Sequence, residues 1–210
     1  MSALRLAALV SGSGSNLQSV IDSIEHDSLD AEIVQVIASR AKIPAQERAA
    51  RYGIPYTVIS RNAYKADICR MSDAIVDLLE PLDIDLILLC GYLSFLGESV
   101  LARYHHRIMN IHPSLLPAFG GKGMYGTRVH EAVLAYGAKV SGCTVMFVDA
   151  GEDTGPIILQ RAVPVHDDDT PITLAQRVMQ AESCAYPDAV RLFASGRIRV
   201  DGCKVIIRKG

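Results

Sequence analysis

Apolar positions along the chain fall into two alternating patterns, short unbroken runs and helically spaced faces. Leu4 to Val10 is a run ended by Ser11 and Gly12 and reads as a buried strand; Leu17, Val20, Ile21 and Ile24 then recur at helical spacing. Ile33 to Ala38 reads as a second strand. Pro44 to Tyr52, closed by Gly53, fits a helix with proline in its first turn and glycine past its end. Tyr56 to Ile59 is a third strand. Ile68, Met71, Ile75, Leu78 and Leu79 mark one face of a long amphipathic helix stopped near Pro81. Ile84 to Cys90 is almost wholly apolar, as expected of a strand buried on both faces of a parallel sheet.

Beyond about residue 105 the rhythm changes. The glycine-rich stretch Gly120 to Gly126 precedes a helix over Thr127 to Tyr136, and strands follow over Cys143 to Val148 and Pro156 to Val165. The last helix, Thr170 to Ala194, has Leu174, Val178, Ala181 and Ala185 on one face and contains Pro187, which should kink or divide it. Asp201-Gly202 between alternating runs signals a closing hairpin. No repeat, low-complexity tract or linker intervenes, so one domain over residues 1–210 is expected. The predicted class is α/β: a doubly wound, mostly parallel Rossmann-like sheet with helices on both faces. Ligands in such sheets sit outside the carboxyl ends of the strands.

Composition narrows the function. The chain is 50% hydrophobic and 21% charged, which suits a sizeable core rather than disorder. Lys+Arg 21 against Asp+Glu 23 leaves a net charge of −2, without the basic excess of nucleic-acid binders. Eight Tyr, four Phe and no Trp are too few for a base-stacking surface. No run approaches the roughly 18 apolar residues that cross a bilayer, and the apolar part of Met1 to Val10 is too short for a signal-peptide core. A cytoplasmic protein with neither nucleic-acid nor membrane partners is therefore expected. Cys69, Cys90, Cys143, Cys184 and Cys203 are odd in number and contain no CxxC pair, so they are expected to stay reduced, three of them as small core hydrophobes. The absence of HxxxH, HExxH and paired cysteines argues against a metal site.

Two segments carry candidate chemistry. Leu9 to Gln18 (LVSGSGSNLQ) is a strand, a Gly/Ser turn and a helix start, which presents backbone N–H groups to an anion. Gly12 and Gly14 allow close approach, and Ser13, Ser15 and Asn16 add donors. No Gly-Lys-Ser/Thr follows, and Leu17 stands where a dinucleotide fingerprint has its third glycine, so the ligand suggested is one phosphate monoester. An ordinary strand-to-helix turn capped by Ser or Asn fits the same residues. In Met109 to Pro117 (MNIHPSLLP), Asn110 and His112 lie two apart and leave the same face of an extended strand. An amide and an imidazole there suit one developing oxyanion. His26, His105, His106 and His166 read as solvated or structural; His130 and Lys122 are left without a role. Asp153, between Gly151 and Gly155-Pro156, sits in a turn that suits either a carboxylate carried over the strand ends or simple turn-making.

In order and spacing, the phosphate loop, NIHPSLLP and GEDTGPIILQ closely resemble the phosphoribosylglycinamide formyltransferase family (glycinamide ribonucleotide transformylases), folate-dependent enzymes of purine synthesis. The resemblance runs from about Leu6 to Ala194. It implies the formyltransferase fold, with the ribonucleotide held by the N-terminal half and folate binding and catalysis in the C-terminal half. The reaction it implies moves the formyl group of 10-formyltetrahydrofolate, a cosubstrate, to the amine of 5′-phosphoribosylglycinamide. Asn110, His112 and Asp153 match the catalytic residues, with the asparagine and histidine stabilising the oxyanion. Gly12, Ser13, Gly14, Ser15 and Asn16 match the phosphate loop, and Glu182 a glutamate on the ribose hydroxyls. Arg61 matches a basic residue near the folate's glutamate tail. Leu93, Ser94, Phe95 and Leu96, with Asn110, Asp149 and Asp153, match the pterin pocket. No metal is implied, and the assembly is a monomer or homodimer.

The chain departs from some members at three places. Ala118 to Gly126 (AFGGKGMYG) is longer, Ser94 replaces an arginine, and Met146 replaces a histidine. Formyltetrahydrofolate deformylase is the nearest alternative. It normally carries a preceding domain, for which a loop beginning by residue 11 leaves no room, and it has histidine and phenylalanine where Pro113 and Leu115 stand here. Methionyl-tRNA formyltransferase adds a C-terminal RNA-contacting domain. A non-catalytic folate- or phosphate-binding protein is the alternative of another class.

Overall fold

The computed structural model describes residues 3–26 and 29–209, so Met1, Ser2, Asp27, Ser28 and Gly210 of the expected 1–210 domain lie outside the described residues. Two compact units divide the chain, Met1–Met109 and Asn110–Gly210. In the first, the unbroken apolar runs become parallel strands. β1 (Leu4–Val10) pairs on one side with β2 (Ala31–Ala38) and on the other with β4 (Leu86–Cys90), while β3 (Tyr56–Val58) pairs with β2. Every residue of β4 is buried, which is why no polar alternation shows in it. Val10 pairs with both Ala38 and Cys90, so the three central strands end in line. The segments after them, beginning at Ser11, Ser39 and Gly91, therefore leave from one edge.

Four helices accompany these strands: α1 (Ser15–Glu25), α2 (Pro44–Arg51), α3 (Ile68–Leu79) and α4 (Glu98–Arg103). α1 buries Leu17, Val20 and Ile21 and α3 buries Met71, Ile75 and Leu79, while Ile24, Ile68 and Leu78 of the expected faces are half-buried. Asp67 caps α3 by accepting the Arg70 N–H at 3.1 Å, and Pro81 diverts the chain into a 3-10 turn, Glu80–Leu82. α4 has no counterpart among the expected elements. It is six residues long and buries only Val100, too little to show a period.

The second unit holds α5 (Thr127–Tyr136), β6 (Val140–Phe147), β7 (Ile157–Pro164), α6 (Pro171–Ala194), β8 (Ile198–Asp201) and β9 (Lys204–Ile207); β5 (Ile108–His112) starts just before it. β6 and β7 form a long antiparallel hairpin, so this part of the sheet is mixed where the first unit is parallel. Five expectations need correction. β6 starts three residues before Cys143, and β4 starts two residues after Ile84. α6 runs through Pro187 without interruption. Its first turn is secured by a Thr170–Thr173 capping box, and Leu174, Val178, Ala185, Tyr186, Ala189 and Val190 are buried on either side of the proline. Each large apolar side chain buried there contributes about 1.5–3 kcal/mol, together more than the roughly 3 kcal/mol a helix-interior proline costs. The hairpin turn centres on Gly202-Cys203, since Asp201 pairs directly with Lys204. Two cysteines rather than three are buried, Cys90 and Cys143; Cys69, Cys184 and Cys203 are exposed, and none is in a disulfide.

Candidate active site

The Gly/Ser turn after β1 is shaped by backbone and by two arginines. Gly14, at φ +70°, takes the left-handed conformation that starts α1, and a Cβ there would lie 3.0 Å from the Cβ of Ala45. No side chain caps α1. The Ser11 hydroxyl is engaged internally, accepting the Leu93 N–H at 2.9 Å and sharing a 2.6 Å hydrogen bond with Ser39. Arg40 donates to the Ser11 carbonyl at 2.9 Å and Arg48 to the Ser13 carbonyl at 2.8 Å. Both bring positive charge to the turn, and neither was anticipated, because nothing in their spacing ties them to it. Ser13 is exposed, and Gly12 has open space where a side chain would stand. Leu93 and Phe95, in the segment after β4, are 62% and 57% exposed, an apolar offering at the edge where the strands end. Ser94 and Leu96 beside them are half-buried, and Arg61 is exposed in the turn before α3.

In the second unit the predicted histidine and aspartate meet. The Nδ1 of His112, at the end of β5, lies 3.4 Å from the Oδ2 of Asp153, with His112 almost wholly buried. Asp153 is delivered by the β6–β7 connection at φ +57° and also accepts the Gly121 N–H at 2.9 Å. Gly120 packs beside it, where a Cβ would stand 2.3 Å from a Leu116 methyl and that side chain would have to shift. The other ring nitrogen, Nε2, is 2.8 Å from the Phe119 carbonyl. A carbonyl only accepts, so Nε2 carries a hydrogen and donates it there. Asn110 is half-buried on the same strand, and its carboxamide has no hydrogen-bond partner among the described residues. Asp149 is engaged in its own turn, accepting from the Gly151 N–H at 3.0 Å and the Thr154 hydroxyl at 2.7 Å. Glu182 is buried on α6, and its charge, after burial itself, helps push the nearby Cys143 thiol up to about 12.

Sequence reading missed the Phe119 carbonyl, since a backbone oxygen leaves no residue signature. It also left His130 open. That side chain is buried on α5 with its Nδ1 unpaired, and burial, then the neighbouring His112 charge, holds its pKa below the ordinary value. Lys122 is exposed in the glycine-rich stretch.

A family model described as formyl transferase matches residues 4–190. The trifunctional purine biosynthetic protein adenosine-3 of Bos taurus is 42% identical over 196 residues, 93% of this chain; the chain spans 19% of that relative's length. The chloroplastic phosphoribosylglycinamide formyltransferase of Arabidopsis thaliana is 38% identical over 207 residues, covering 98% of this chain and 71% of that one. Among solved structures, glycinamide ribonucleotide transformylase 1 from Symbiobacterium toebii superposes with a TM-score of 0.93 at 39% identity, over 99% of this chain and 95% of its own.

Proposed function

The chain belongs to the formyl transferase family, and from that premise we propose that it transfers the formyl group of 10-formyltetrahydrofolate to the amine of 5′-phosphoribosylglycinamide in de novo purine synthesis. The observation that carries this reading is the His112–Asp153 pair, with Asn110 two residues before His112 on the same strand and its amide without a hydrogen-bond partner among the described residues. An amine α to a carbonyl has a pKa near 7.7–8.0, so about one molecule in seven is neutral at pH 7. A strong base is not the main need. The harder task is the tetrahedral oxyanion formed as the amine attacks the formyl carbon, and Asn110 supplies a hydrogen-bond donor to it.

His112 acts differently from the free second donor expected of it. Its Nε2–H is committed to Phe119, so its contribution is the positive charge it bears when Nδ1 is also protonated and facing Asp153. Asp153 orders a water that carries the proton from the attacking amine towards the departing N10. The substrate phosphate is assigned to Gly12–Asn16 and the ribose hydroxyls to Glu182. The pterin is assigned to Leu93–Leu96 and Asp149, and the glutamate tail to Arg61. The family match spans both units, which supports reading them as halves of one formyltransferase domain. A monomer or homodimer acting in the cytoplasm completes the reading; no described helix is long and apolar enough to cross a membrane.

The test is to follow 10-formyltetrahydrofolate consumption by the purified chain with and without the ribonucleotide. Consumption only in its presence supports formyl transfer. Consumption without it indicates the hydrolytic deformylase, and none in either case a binding protein.

A further inference from the structure

The turn that presents Phe119 is held from behind by polar groups that the scheme above does not use. The Thr144 hydroxyl, wholly buried in β6, makes all three hydrogen bonds a hydroxyl can make. It donates to the Ser114 carbonyl at 2.7 Å and accepts from the Leu116 N–H at 3.0 Å and the Gln160 amide at 2.9 Å. Gln160, directly opposite Thr144 on β7, also donates to the Leu116 carbonyl at 2.9 Å. The Ser114 hydroxyl donates to the Ala118 carbonyl at 2.6 Å. Residues 114–118 are thus tied down at Ser114, Leu116 and Ala118. The chain then turns at Phe119, φ +54°, whose carbonyl receives the His112 Nε2–H.

We infer that Thr144 and Gln160 are positioning residues for the reaction: through this turn they hold the Phe119 carbonyl on His112 and so decide which ring nitrogen carries the hydrogen of the neutral imidazole while Nδ1 faces Asp153. A neutral imidazole has one N–H. With the carbonyl in place that hydrogen sits on Nε2, so the second proton, which makes the ring cationic, goes to Nδ1 against the carboxylate; with the carbonyl displaced, the single hydrogen moves to Nδ1 and the ring loses its fixed orientation. Gln160 is the informative position because its side chain is exposed on β7 and reaches the turn only through its amide. The inference rests on the formyl-transfer reading for its kinetic readout alone.

Isotope-edited NMR of the free protein reads the His112 Nε2–H proton directly, as a downfield resonance protected from exchange in the wild type. Gln160→Leu and the isosteric Gln160→Glu, neither of which has an amide to donate, should each lose that resonance. They should lower kcat about 3- to 10-fold, the worth of one net hydrogen bond, and leave KM for the ribonucleotide unchanged. Thr144→Ser keeps the hydroxyl and should retain both resonance and kcat. A resonance that persists in both Gln160 variants overturns the inference, whatever happens to turnover, and so does its loss in Thr144→Ser. The signal needs no substrate. A wild type that shows it but transfers no formyl group would refute the formyl-transfer reading, while its loss in the Gln160 variants would still support the link to His112.

Discussion

Replacing Asp153 by asparagine keeps the shape of the side chain and removes its charge. The carboxylate has two partners, the His112 Nδ1 at 3.4 Å and the Gly121 N–H at 2.9 Å. An asparagine oxygen still accepts from Gly121, so the turn should hold; the change falls on the histidine. The 3.4 Å contact is an ion pair once the ring carries both its hydrogens, and if it is worth what a charge-assisted contact usually is, about 1.5–3 kcal/mol, its loss alone costs about 10- to 150-fold at 1.36 kcal/mol per tenfold in rate. Loss of the ordered water adds to this. The total expected is a fall in kcat of about 10²–10³, comparable to the removal of one oxyanion donor. The ribonucleotide phosphate is assigned to the loop after β1, so KM for that substrate should move by less than about threefold. Steady-state formyl transfer with varied ribonucleotide measures both constants. A kcat within about threefold of wild type would refute the role given to Asp153, and a matching rise in KM would show that the change also reaches ribonucleotide binding.

Other outcomes follow from the same geometry. Asn110→Ala should lower kcat by about 10²–10³ while leaving thermal stability close to wild type, since the amide it removes has no hydrogen-bond partner among the described residues. His130 should make the protein acid-sensitive. Its folded pKa lies below the ordinary 6.5 because burial, then His112, disfavours its charge, so the unfolded chain takes up the proton first. Wild-type stability should therefore fall as pH drops through 6.5 towards the folded value, and His130→Gln, compared by urea melts at neutral pH and near pH 5, should fall less. Equal losses would contradict this assignment. A thiol reagent near pH 8 should label the three exposed cysteines, Cys69, Cys184 and Cys203, while Cys90 and Cys143, whose thiols burial pushes up, react only on denaturation.

Much of this arrangement was legible in the residues because each part is a local pattern. The run into Ser11-Gly12 followed by helical spacing predicts the strand, turn and α1. Asn110 and His112 two apart predict a shared strand face. What was not legible is set by tertiary contact. Nothing in the spacing of His112 and Asp153 states that they meet; that follows from the length of the β6–β7 hairpin and the turn that ends it. The Thr144–Gln160 pair depends on strand register, and the Phe119 carbonyl belongs to the backbone. Pro187 misled because helix propensity is a local quantity, whereas the buried face of α6 decides the outcome. The cysteines misled in the opposite sense: Cys69 and Cys184 fall in helices with buried faces, yet both are exposed.

The most direct test follows an isotopically labelled formyl carbon. In a single turnover with labelled 10-formyltetrahydrofolate and 5′-phosphoribosylglycinamide, the label should appear on the glycinamide nitrogen of the ribonucleotide, with none released as formate. Label recovered as formate, or retained on the folate while both ligands are bound, would contradict formyl transfer by this chain.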